Sequence, residues 1–252
     1  MARKYGWKRG LPDFRDRKFK VPAHLKDVVL PPSVDLRPQM PPVYDQGDLG
    51  SCTANATAGD FEFLLMKEGK TAYVPSRLFI YYNERAMEGS VDTDAGADIR
   101  DGFKVLNQQG APDETLWPYD VSKFTVKPPQ TVYDNGLLNT LVNYESVDNT
   151  NQQLMKAALA AGYAVAGGFT VYESFENQSV AQTGVVPMPA PNESVLGGHA
   201  ILVVGYDDAK QCYIVRNSWG SGWGDQGYFY APYAYFSNPD LADDFWVGYV
   251  VT

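Results

Sequence analysis

"YDQGDLGSCTANA", residues 44–56, places one of the chain's two cysteines on a glycine-flanked turn. Gly47, Gly50 and Ser51 precede Cys52, and small residues then lead into the apolar run "FEFLLM". A structural cysteine is at home inside an apolar stretch. This one instead opens a stretch that reads as a helix, Cys52 to Lys67, closed near Gly69.

Working outward, "PSRLFIYYNERAME" (75–88), "ADIRDGFKVLNQQG" (97–110) and "NTNQQLMKAALAAG" (149–162) read as three further helices. The texture then changes. "YAVAGGFTV" (163–171), "HAILVVGYD" (199–207), "CYIVRN" (212–217), "GYFYAP" (227–232) and "FWVGYVV" (245–251) are β-rich runs with glycine breaks. Helices first and strands later describe an α+β chain with a helical lobe and a sheet lobe.

The 252 residues suit one sizeable domain or two fused lobes. Hydrophobic content of 44% and charged content of 20% fit a globular protein. No run of 18 apolar residues suggests a membrane span, and "MARKYGWKRG" has no apolar signal core. The net charge of −9 argues against nucleic acid as the main partner. The charge is uneven: residues 1–30 carry nine Lys/Arg and three Asp, a net +6, and the remainder carries −15. Two readings of this basic arm are open, a solvated tail or a segment lying on its own body. Two cysteines allow at most one disulfide, and a chain of this size needs none. That fits a reducing compartment, which favours the cytoplasm, with secretion after signal removal as the alternative.

Chemically reactive groups are few. There are two histidines: His24 lies in the arm, while His199 follows Gly197 and Gly198 and opens an apolar strand. Asn217 sits in "RNSWGSGWGDQGY", a glycine- and tryptophan-rich context unlike a plain loop. A cysteine, a histidine and an asparagine distant in sequence form the set that a cysteine nucleophile needs. Cys212 begins an apolar strand and reads as a small buried residue. Asp207, Asp208, Asp243 and Asp244 form acidic pairs that read as solvated surface charge rather than a calcium site. Trp223 and Tyr228 read as packing residues.

Together, "DQGDLGSCTANA", "GGHAILVVGYD" and "VRNSWGSGWGDQGYF" resemble the active-site segments of papain-like cysteine peptidases, the cathepsin family. Gln46, Cys52, His199 and Asn217 come in the family's order. Gln46 precedes Cys52 by six residues, and His199 follows it by 147, within the roughly 130–150 expected. "PPSVDLRP" resembles the family's mature N-terminus, and "DETLWPYD" a segment after its helical lobe. The resemblance spans about residues 31–252. It implies a papain-like two-lobe fold: a helical lobe over about 45–140, and a β-barrel-like lobe over about 141–252 plus 31–44, with the cleft between them. It also implies a cysteine endopeptidase that acts on peptides or proteins as a monomer, with no metal or organic cofactor.

Within that reading Cys52 is the nucleophile, lowered in pKa by the helix N-terminus and a protonated His199. Asn217 orients the imidazole, Trp219 shields that hydrogen bond, and Gln46 with the Cys52 N–H forms the oxyanion hole. Gly96 matches the glycine that pairs with substrate backbone. Gly167, Gly198 and residues near Ala200 line the pocket for the residue two before the scissile bond.

The sequence departs from the family at Leu49 and "TDAGAD", where both halves of a usual disulfide are missing. Thr53 and Leu36 each stand where the family has tryptophan. Two alternatives remain on the same scaffold: a catalytically silent binding protein, and a transglutaminase- or amidase-type acyltransferase. Family members are made as zymogens, and residues 1–30 read as a short propeptide. Trp7, Phe14, Phe19, Val21 and Leu25 are its anchors. An apolar side chain near the cleft, reversed chain direction and removal between Lys20 and Pro31 are expected.

Overall fold

A computed structural model describes residues 4–26 and 28–252. Three longer helices precede most of the strands, as expected, while a first strand and several short helices were not expected. After β1 (Ser33–Asp35) come α1 (Cys52–Lys67), α2 (Arg77–Glu88), α3 (Ile99–Gln108) and the short α4 (Gln130–Gly136). Next are β2 (Leu141–Val147), α5 (Gln152–Ala160), β3 (Val165–Tyr172) and α6 (Gln178–Thr183). The chain ends with β4 (Val195–Asp207), β5 (Cys212–Arg216), β6 (Tyr228–Pro232), α7 (Tyr233–Phe236) and β7 (Ala242–Val251). The strands form one antiparallel sheet in the order β2-β7-β3-β4-β5-β6, with β1 added alongside β4.

Local chemistry sets the helix ends. Ser76 Oγ caps α2 by accepting the Phe79 N–H, and Gly89 closes it at φ +70°. Asp98 caps α3 and Asn151 caps α5. Each cap oxygen satisfies N–H groups left open by the first helical turn. These caps trim the helices expected from sequence by two or three residues at their N-termini.

α1 is buried almost all round, from Cys52 to Leu65. It lacks a polar stripe because it packs on α2 and α3 as well as on β4 and β7. Ala54, Ala58 and Gly59 keep its surface small where neighbours come close. At Gly59 an added Cβ would sit 3.3 Å from the Arg216 guanidinium. The sheet side of the core is aromatic: Phe169 meets Phe175, Tyr235 and Phe236 at ring separations of 5.2–5.8 Å.

Two buried arginines fix the loops that frame the cleft. Arg85 donates to the carbonyls of Val91, Thr93 and Phe124 and lies over the Tyr81 ring. Arg77 pairs with Glu114 at 2.8 Å and reaches the Asp45 carbonyl and Asn55 Oδ1. It thereby ties the 44–46 segment to the first turn of α1.

Asp60 is wholly buried in α1 beside Gly248, and burial pushes its carboxyl up to about 7. The ordinary unfolded value is about 4, so the folded chain binds the extra proton between those values. Asp60 therefore favours the fold below about pH 4 and loses that advantage as pH rises towards 7. Asp60→Asn should remove the slope. Thermal melts from pH 4 to 7 should show the variant gaining on the parent as pH rises, by up to a few kcal/mol in order of magnitude. Parallel curves would refute this.

Candidate active site

Cys52 is the first residue of α1 and is fully buried. The turn before it is held from two sides. The Tyr119 hydroxyl donates to the Gln46 carbonyl and shares a hydrogen bond with Ser51 Oγ. Asp94 accepts the Gly50 N–H at 3.0 Å and the Tyr81 hydroxyl at 2.6 Å. Asp94 and Leu49 lie in the two segments where the sequence lacks cysteines. The Asp94–Gly50 hydrogen bond links these segments without a disulfide. Cys52 and Cys212 are both free, buried thiols.

His199 opens the buried part of β4, and Asn217 lies just beyond β5. Asn217 Oδ1 accepts from His199 Nε2 at 2.8 Å and from the Ser218 N–H at 2.8 Å. The second bond identifies the acceptor as the amide oxygen, so Nε2 carries the imidazole hydrogen in this pair. Trp219 stacks on the imidazole with ring centroids 5.0 Å apart and is 4% exposed. Phe175 and Trp223 in turn pack edge-on or tilted around this aromatic cover.

Gln46 is buried, and its amide is oriented by a residue the sequence reading missed. Ser218 Oγ donates to Gln46 Oε1 at 2.6 Å, which directs Nε2 to the Leu49 and Lys4 carbonyls. Ser218 carried a faint signal, as the middle residue of "NSW".

The basic arm passes through the site. Gly6 and Trp7 are buried against it. The Ala97 N–H donates to the Gly6 carbonyl at 2.7 Å, and Lys8 N–H donates to the Ala97 carbonyl at 3.0 Å, a parallel bridge between Trp7 and Ala97. Trp7 N–H donates to the Gly198 carbonyl at 2.9 Å. The Gly6 N–H meets the Cys52 sulfur, as do the N–H groups of Ala200 and Thr53. Tyr5 sets its ring edge-on to His199 at 5.8 Å and tilts on Trp219. Its hydroxyl donates to Glu176. A Cβ on Gly6 would lie 1.7 Å from the Gly50 carbonyl oxygen, so only glycine fits at this point of the arm.

Beyond the cleft the arm follows the body. Lys4–Asp94 and Lys8–Glu88 pair at 2.8 Å, and Arg9–Asp243 at 3.5 Å. Residues 17–19 bridge to Ser146, and Phe19 is buried. Burying a phenylalanine contributes about 1.5–3 kcal/mol, whereas exposed ion pairs contribute about 0–1 kcal/mol each. Not every expected anchor is used: Phe14 is 99% exposed.

Several sequence expectations change. The thiol is not lowered in this arm-covered state. Burial pushes Cys52 up to about 11, outweighing the three N–H groups on the sulfur. The residue pairing with the arm's backbone is Ala97. Gly96, at φ +71°, donates to the Tyr81 hydroxyl and leaves room for the Gly6 carbonyl. Gly167 faces the core, where the Phe245 ring fills the space beside it, and its neighbour Gly168 faces Trp7. Asp244 is an arm contact rather than solvated charge, while Asp243 faces Arg9 and stays about half exposed. Asp208 pairs with Lys156 at 2.6 Å, and Asp207 accepts N–H groups of the turn after β4. Among the described residues no group of acidic, histidine or cysteine side chains is arranged to hold a metal ion, and no helix is long and apolar enough to cross a membrane.

Comparison with known proteins places this geometry. The model of the papain family cysteine proteases matches residues 30–238. An uncharacterised peptidase C1-like protein of Acanthamoeba polyphaga mimivirus is 42% identical over 100% of this chain and 88% of its own length. The crystal structure of xylellain, a cysteine protease from Xylella fastidiosa, superposes with a TM-score of 0.91 at 40% identity, covering 100% of this chain and 99% of that one. A digestive procathepsin L 3 from Tenebrio molitor larval midgut shares the fold, with a TM-score of 0.72 at 21% identity over 98% of this chain and 76% of that one.

With both cysteines free, a reducing agent should leave the melting temperature unchanged. A marked drop on reduction would contradict the disulfide-free site.

Proposed function

The chain belongs to the papain family of cysteine proteases, and from that premise we propose that it is an endopeptidase acting through a Cys52 thioester and held as a zymogen by its own arm. The supporting observation is the seating of Gly6 and Trp7 in the cleft, with the Gly6 N–H on the Cys52 sulfur.

In the open enzyme Cys52 gives its proton to His199, and the thiolate attacks a peptide carbonyl. The developing oxyanion takes hydrogen bonds from Gln46 Nε2 and the Cys52 N–H. Losing one such donor costs about 100- to 1,000-fold in rate. His199 then protonates the leaving amine and afterwards activates the water that hydrolyses the thioester. Asn217 holds the imidazole through Nε2, so Nδ1 is the nitrogen that exchanges this proton. Trp219 keeps water from the His199–Asn217 bond.

The arm occupies this machinery without being a substrate for it. The carbonyl reaching Gln46 Nε2 belongs to Lys4, at 3.3 Å, whereas the group on the sulfur is the N–H of Gly6, two residues further on. Attack needs one carbonyl to meet both, so no arm peptide bond is aligned for cleavage. The arm runs past the nucleophile on both sides, which supports a cleft open to internal peptide bonds. The exposed residues Ala23, His24, Lys26, Val28 and Val29 give a removing protease access.

Cys52→Ala should abolish hydrolysis of a fluorogenic peptide while leaving the melting curve intact; an active variant would sink the assignment. The arm is tested by Gly6→Ala, which cannot seat over Cys52. With the same peptide at several ionic strengths, Gly6→Ala and a chain beginning at Pro31 should both be about tenfold or more faster than the full chain. Salt should relieve the full chain only in part, because the apolar anchors resist it. Equal rates in all three would make the arm a mere tail.

A further inference from the structure

The segment "DETLWPYD" (113–120) supplies no group to the chemistry of Cys52, yet two of its side chains reach the turn that carries Gln46 and Cys52. Its backbone is stapled to the start of α2. The Ser76 N–H donates to the Pro112 carbonyl, the Glu114 N–H to the Val74 carbonyl, and Ser76 Oγ to the Trp117 carbonyl. Glu114 holds Arg77 at 2.8 Å, and the Arg77 guanidinium lies 4.1 Å from the centroid of the Tyr119 ring. The Tyr119 hydroxyl is thus carried on a rigid base.

The direction of each hydrogen bond here follows from what its atoms can do. The Gln46 carbonyl can only accept, so the single Tyr119 hydroxyl hydrogen goes to it, at 2.9 Å. The other donor to that carbonyl, the Leu49 N–H, is long at 3.5 Å. The Tyr119 oxygen then accepts from Ser51 Oγ. Ser51 Oγ accepts in turn from Asn55 Nδ2 at 3.1 Å, and Asn55 Oδ1 accepts from Arg77 Nη1 at 3.1 Å. The donors therefore run one way, from a fixed cation to Gln46, and each bond polarises the next. Gln46, Ser51 and Asn55 are at most 2% exposed, so water has little access to this chain.

The hydroxyl spans the two residues that bring the oxyanion donors. On one side is the backbone of Gln46, which carries the Nε2 amide. On the other is Ser51, whose peptide bond supplies the Cys52 N–H. The Ser51 carbonyl is held as well, by the Asn55 backbone N–H at 3.0 Å and Asn55 Nδ2 at 2.9 Å. Between the two lie Gly47, at φ +58°, Asp48, Leu49 and Gly50. A turn with two glycines does not by itself set a distance.

Building on the endopeptidase reading, we propose that Tyr119 is a positioning residue for the oxyanion hole: its hydroxyl, tied to the Gln46 carbonyl and to Ser51 Oγ, sets the spacing between the Gln46 amide and the Cys52 N–H. It acts through these two residues and not on the substrate. Burial raises the phenol above its ordinary value, so the hydroxyl keeps the hydrogen that it donates.

The test uses full-length Gly6→Ala, in which the arm cannot seat, with and without Tyr119→Phe. Phenylalanine keeps the ring over Arg77 and removes only the hydroxyl. For a fluorogenic peptide, kcat should fall about tenfold while KM stays within about twofold, as for a group that serves only the transition state. Alkylation of Cys52 by iodoacetamide, read by peptide mass to separate it from Cys212, should keep its rate, because displacement at a saturated carbon forms no oxyanion. In a Gln46→Ala background Tyr119→Phe should cost less than about twofold, since one of the two donors it spaces is already gone. Ser51→Ala breaks the same link from the other end and should reproduce the fall in kcat. Melting curves check that each variant folds. An unchanged kcat in either folded variant, an equal fall in alkylation, or a tenfold loss that persists beside Gln46→Ala overturns the proposal.

A peptide aldehyde gives a readout without turnover. The Cys52 sulfur adds to the aldehyde carbon, the C=O π pair passes to oxygen, and that oxygen takes the thiol proton. The adduct is tetrahedral, with its oxygen where the oxyanion forms. Tyr119→Phe should weaken aldehyde binding about tenfold, and unchanged affinity overturns the proposal. Should aldehyde binding weaken as expected while no chain cleaves peptide, the role of Tyr119 stands and the peptidase reading is what fails.

Discussion

The seating of α1 against β4 is the contact on which the cleft depends. One element carries Cys52 and the other His199, and the Ala200 N–H reaches the sulfur directly across their contact. That approach needs a helix with a thin surface, and α1 provides it with alanine, glycine and threonine on its buried faces. The cost of burying polar residues in such a helix is met by specific partners. The Thr53 hydroxyl donates to Glu84 at 2.8 Å, and Asn55 bonds back to Ser51. Glu84 itself is raised well above the ordinary carboxylate range by burial. A neutral acid there needs less hydration than a charged one.

The arm acts on the thiol in a definite direction: burial raises Cys52, while the arm's Gly6 N–H pulls it back down. Backbone geometry seats the arm: Gly6 over Gly50, the Gly6 carbonyl beside Gly96, and the Trp7 carbonyl beside Gly198 all need contacts that a Cβ would block. The ion pairs of the arm add orientation and little energy, since their cations are about half exposed.

Charge also replaces a covalent link. Asp94 gathers the Gly50 N–H, the Tyr81 hydroxyl and the arm's Lys4. The turn before Cys52, the loop bearing Ala97 and the arm are thus joined at one carboxylate. A chain without disulfides keeps its cleft in register by this means and by the carbonyl bonds of Arg85 and Arg77.

The sequence by itself determined the four longer helices α1, α2, α3 and α5, the strand-rich stretch that follows them, and the span of α1 from Cys52 to Lys67, and it singled out Gln46, Cys52, His199 and Asn217. Those groups are legible because their chemistry demands particular side chains in rare local contexts. β1 and β2 were not legible. Their edge positions give no clear alternation: in β2 Leu141 and Val147 are buried while Val142 is exposed. The start of β7 was hidden by "ADD", whose charges looked solvated until the arm covered them. Tertiary structure alone decided that Ala97 pairs with the arm's backbone, and that Gly168 rather than Gly167 faces Trp7. Strand side chains alternate faces, so an offset of one residue exchanges core for cleft. It also decided that Cys52 is fully buried and its thiol raised, because a thiol's charge follows from what excludes water around it, and that is set by the packing of elements distant in sequence.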